Sequence, residues 1–153
     1  MGGSRPFPTA ALTEVQEGIL QAVFGKPQQA ESSFKAALST EPNLVSPYVN
    51  LANLRLLSSD EPGALAIIGQ GLARNADAAL LNLLAARIYA GEGNADKSRL
   101  FMAAVKRTDP SLAARYTDLL SQPALAASGS GNGGSQRASS ADESLSVIWT
   151  ADQ

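Results

Sequence analysis

Ala30-Glu-Ser-Ser-Phe34-Lys-Ala-Ala-Leu-Ser-Thr-Glu-Pro42-Asn-Leu-Val-Ser-Pro-Tyr48-Val-Asn-Leu51-Ala52 is the stretch on which the fold turns. A small residue is followed four places later by an aromatic, then by a helix-stopping proline. A second amphipathic segment starts directly beyond, carrying Tyr48, Leu51 and Ala52 on helical spacing. Moving 34 positions toward the C-terminus returns similar kinds of residue at most of these places. The chain therefore aligns on itself as 11–44, 45–78 and 79–112 without insertion or deletion, and a partial fourth unit begins at Ala113.

The columns of this alignment have physical meanings. Gly18, Ala52 and Ala86 in the first helix of each unit, and Ala30, Ala64 and Ser98 in the second, are small where two helices approach closely. Phe34, Ile68 and Met102 form one expected core column, and Leu20, Leu54 and Ile88 a second. Gly25, Ser59 and Gly93 mark the turn inside each unit, and Pro42 and Pro110 close the first and third units, with Ala76 in the second. Pro27, Pro47 and Pro62 fall near first helical turns, where no backbone donor is lost. The pattern predicts helices near 11–24, 27–40, 45–58, 61–74, 78–91 and 95–108. A last helix near 111–121, carrying Ala113, Tyr116, Leu119 and Leu120, would cap the open end.

The set resembles the tetratricopeptide-repeat family. Ala30-x3-Phe34 with Pro42 matches the second half of that family's pattern, and Tyr48, Leu51 and Ala52 the first; the third unit supplies Ala86, Tyr89 and Pro110. Glu14 and Asn82 stand where the pattern has an aromatic, Gly71 where it has alanine, and Ser98 and Met102 depart from A-x3-F. The resemblance implies an all-α fold, a right-handed superhelical stack of three helical hairpins with a C-terminal capping helix, over residues 11–121. It also implies a protein-binding scaffold or chaperone module whose first helices line a concave groove for a partner's peptide segment. Carried onto this chain, the groove consists of Val15 and Ile19, then Val49, Asn50 and Asn53, then Leu83, Leu84 and Arg87. Asn50 and Asn53 are i, i+3 neighbours whose amides can donate and accept together, and Arg87 could hold a carboxylate. A lysine- and arginine-rich clamp for an acidic C-terminus is not expected, since the first helix of the first unit has neither residue.

Composition narrows the alternatives. Twelve Lys and Arg against fourteen Asp and Glu give a net charge of -2, without the basic surplus that nucleic acid demands. There is no Cys and no His, so thiolate and imidazole metal sites and the commonest neutral-pH general base are missing. No catalytic residue, metal or cofactor is expected; Asp60, Glu61 and Asp96 read as helix N-terminal residues. No segment approaches the length of a membrane span, and residues 1–6 lack a signal core, so direct membrane contact is not expected and cytoplasm and periplasm both stay open.

The tail has a different character. Residues 1–10 and 122–140 read as flexible segments, the second rich in Gly and Ser. Gly129, Gly131 and Gly134 fit G-x-G-x-x-G, but without the flanking strand and helix that phosphate binding needs. Beyond lies 141–153, where Leu145, Val147, Ile148 and the sole Trp, Trp149, form an apolar cluster among acids. Leu145, Val147 and Trp149 alternate as in a strand, while Leu145, Ile148 and Trp149 make a helical stripe; both readings give a short recognition element. A flexible stretch of about 20 residues spans roughly 25 Å, enough to bring this element to the chain's own groove. The competing expectation is a structural or oligomerisation module whose tail pairs with another chain or domain.

Overall fold

The computed structural model describes residues 9–120 and 149–151. The expectations for residues 1–8 and for the linker, and those for Leu145, Val147 and Ile148, lie outside the described residues. All regular structure among the described residues is helical: α1 (Ala10–Val23), α2 (Pro27–Thr40), α3 (Val45–Leu57), α4 (Glu61–Arg74), α5 (Ala79–Gly91), α6 (Ala95–Thr108) and α7 (Pro110–Leu120). The chain divides into two compact units. One holds α1–α4 together with Trp149–Ala151, and the other holds α5–α7. In the first, α1 pairs with α2, α3 with α4, and α3 also packs on α2; in the second, α5 pairs with α6, and α7 packs on both.

Helix boundaries follow from local chemistry. Pro27 and Pro110 occupy the first positions of α2 and α7, where their missing N–H costs no intrahelical bond. Thr9, Asp60 and Asn94 cap α1, α4 and α6 by accepting from the backbone N–H of Leu12, Gly63 and Lys97 at 3.1, 2.9 and 3.1 Å. At the other end of each first helix the chain turns through a left-handed residue: Gly25 at φ 77, Ser59 at φ 60 and Gly93 at φ 80. Each turn is closed by the same bond, from Lys26 to Gln21, Asp60 to Arg55 and Asn94 to Tyr89, at 2.7 to 2.8 Å. Donors, acceptors and left-handed residues all recur 34 positions apart, so the period seen in residue types is also a period in backbone geometry.

Side chains repeat as well. Tyr48 Oη donates to the Pro42 carbonyl at 3.2 Å, and 34 residues later Asn82 Nδ2 donates to the Ala76 carbonyl at 3.1 Å. Asn82, a departure from the aromatic pattern, thus restrains the same preceding turn with a different donor. In the first unit Ala11, Val15, Ala30, Phe34, Ala37, Leu51 and Leu54 form a buried cluster; in the second, Leu83, Ala86, Met102, Val105 and Ala113 do. Arg55 of α3 reaches Glu31 of α2 through both nitrogens, at 2.9 and 3.4 Å. Lys35 and Arg55 hold the Glu31 carboxyl below its usual range against the opposing effect of burial.

One expected core position is not core. Leu54 and Ile88 are buried, but Leu20 is 58% exposed. Leu54 sits on α3, which has the α1–α2 hairpin to pack against, whereas Leu20 sits near the end of the first helix in the order. Val23 and Phe24 beside it are exposed too. Among the described residues no helix is long and apolar enough to cross a membrane.

Candidate functional site

Within the first unit, α1, α2 and α3 meet around Phe34, and on this meeting point lie Trp149, Thr150 and Ala151. Gly18 of α1 makes the close approach possible: a Cβ there would stand 2.6 Å from Phe34 Cε1. The column at this place pairs Gly18 with Phe34, Ala52 with Ile68 and Ala86 with Met102, so the absent methyl accompanies the widest ring. Phe34 is fully buried, and its ring stacks with that of Trp149, with centroids 6.4 Å apart and planes 19° from parallel. Such stacked pairs add about 0.5–1.5 kcal/mol beyond the area they bury.

Asn50, on α3, holds the backbone of the same segment at two points. Its Nδ2 donates to the Thr150 carbonyl at 2.8 Å, and the Thr150 N–H donates to its Oδ1 at 3.0 Å. An amide carries a donor and an acceptor side by side, and here both engage one residue's main chain as a neighbouring strand would. Asn50 itself is fully buried. A buried amide deprived of such partners costs about 1–3 kcal/mol for each group left unsatisfied, so these two bonds are a substantial part of what holds the segment. Trp149 and Ala151 both pack against the Phe34 cluster. Between these two packed residues, both peptide groups of Thr150 go to Asn50.

The sequence-predicted groove residues are distributed as follows. Val15 belongs to the cluster under Trp149, Ile19 packs against that cluster, and Asn50 makes the two-point hold. Val49 and Asn53 are buried on α3. Leu83, Leu84 and Arg87 lie in the second unit, the two leucines buried and Arg87 half-buried. The Arg87 guanidinium stands over the Tyr116 ring of α7, 5.7 Å from its centre, a cation–π arrangement. Burial lowers the Arg87 pKa, while Tyr116 nearby acts to raise it. Six of the eight are thus buried, and Asn50 makes the two-point hold on the Thr150 main chain.

Three participants escape a reading of the sequence. Phe34 reads as core, yet it is also the platform for Trp149. Thr150 and Ala151 have no side chain that announces a role, yet one supplies the gripped backbone and the other packs on the Phe34 cluster. A usable signal is the width of the Phe34 column opposite glycine, since an aromatic there extends further than Ile68 or Met102. Among the described residues no group of three or more His, Cys, Asp or Glu could hold a metal ion. Compared with known proteins, the chain matches no protein-family model and no curated protein.

Proposed function

We propose that this chain is a tetratricopeptide-repeat module that binds an extended peptide segment of a partner protein on the face built from α1, α2 and α3, and that its own C-terminal segment occupies that face in cis. The observation that carries this is the buried Asn50 amide gripping both main-chain groups of Thr150 beside the Trp149–Phe34 stack. An amide that pairs with both main-chain groups of one residue is suited to a peptide ligand. The repetition of turns, caps and core columns every 34 residues supports the family reading and, with it, a right-handed superhelical stack of hairpins closed by α7. Val15, Ile19, Val49 and Asn53, all in the first unit, complete the face on this reading. A tethered occupant has an effective concentration on the order of millimolar, so a partner must either exceed it or carry more contacts.

Trp149→Ala in the full chain removes both the stack and the only tryptophan, so a synthetic peptide of residues 145–153 can be followed by its own emission. Addition of this peptide to the variant is expected to shift its emission to the blue and to saturate. The same titration on the Trp149→Ala, Asn50→Ala double variant is expected to weaken at least tenfold. A peptide that ignores the Trp149→Ala chain, or binds the double variant equally well, overturns the proposal.

A further inference from the structure

On top of the peptide-binding reading, we infer that the site is selective: it accepts an extended segment whose first residue is aromatic, whose second is any residue except proline, and whose third is small. Each element of this pattern has a separate physical origin. The aromatic is required by Phe34, whose fully buried ring stacks with Trp149 and presents no polar group to a ligand. Proline is excluded because the Thr150 N–H donates to Asn50 Oδ1 at 3.0 Å; a proline has no such hydrogen, and Asn50 is too deeply buried to replace it with solvent. A small third residue is required because Ala151, partly buried, packs on the same cluster as Trp149, a cluster whose members include the fully buried Val15 and Ala37. Enlarging it forces well-packed neighbours to move.

The three requirements reinforce one another through geometry. An extended chain places the first and third side chains on one side and turns the second residue's main chain toward whatever flanks it. Asn50 is that flank. Since its two bonds go to main-chain atoms, they fix the position of the segment along the site and leave discrimination to the residues on either side. Partner segments of this site are therefore expected to carry a Trp-, Phe- or Tyr-x-Ala, -Gly or -Ser pattern, in a stretch free to extend.

The test uses the Trp149→Ala full chain and four peptides of residues 145–153: the native sequence, one with N-methylthreonine at 150, one with proline at 150, and one with leucine at 151. The native peptide is expected to bind, and each of the other three about tenfold or more weaker, the effect of one buried unpaired acceptor or one overpacked side chain. In the intact chain, Thr150→Pro is expected to expose Trp149 and redden its emission, while Thr150→Ser leaves it unchanged; this pair decides the matter should Trp149→Ala fail to fold. Equal binding of all four peptides, or an unmoved emission in Thr150→Pro, overturns the selectivity while peptide binding stands. Absence of binding by every peptide overturns both.

Discussion

Gly18, Phe34 and Trp149 form a chain of contacts in which the smallest residue of the molecule decides where its largest can sit. Gly18 lets α1 close on the Phe34 ring, and the ring in turn stacks with Trp149. Gly18→Ala sets two effects against each other. Alanine gains about 1 kcal/mol of helix propensity, but its methyl would meet three ring carbons at 2.6 to 3.0 Å, and overpacking of this kind costs about 1–3 kcal/mol. The clash wins because Phe34 is fully buried and has little room to yield. Gly18→Ala is therefore expected to lower stability by about 1 kcal/mol in denaturant unfolding and to disturb Trp149 emission. In the later units the same columns hold alanine at 52 and 86 and the narrower Ile68 and Met102.

At the scale of elements, the turns carry most of what the sequence makes legible. Gly25 and Gly93 reveal left-handed residues by their type, and the period then assigns the same conformation to Ser59, which its type alone does not announce. A non-glycine residue in that region costs about 1–2 kcal/mol, and glycine's extra freedom in the unfolded chain returns about 0.5–1 kcal/mol of that advantage. Ser59→Gly is thus expected to stabilise the chain by about 0.5–1 kcal/mol, seen as a melting temperature raised by a few degrees. An unchanged or lower melting temperature contradicts it. Helix starts are equally legible where prolines take first positions and Asp60 precedes α4, because these are local devices with local signatures; the Asn94 cap of α6 escapes that reading. Leu20 was not legible: its column is buried in the later units, and position within a repeat does not say whether a neighbour is there to cover it. Asn82 was misleading in the opposite sense, since an amide and a phenol can both restrain a carbonyl six residues back.

For the whole molecule, the candidate site divides between what a repeat makes visible and what it conceals. Asn50 stood out as a side chain able to engage a backbone, and Trp149 as an aromatic with no place in the repeat. The role of Phe34 stayed hidden because core burial and support of a bound segment demand the same residue, a large apolar ring. The contributions of Thr150 and Ala151 stayed hidden because main-chain recognition leaves no trace in residue type. The contact between positions 50 and 150 is separated by a hundred residues and depends on a fold that only the full set of columns defines. Its most direct test is nuclear Overhauser spectroscopy on the intact, isotope-labelled chain at two concentrations. Cross-peaks from the Asn50 side-chain amide protons to the Thr150 backbone, unchanged on dilution, are the expected result. An Asn50 amide with no such cross-peaks, and a Trp149 indole resonating as it does in a free peptide, would contradict the account at its centre.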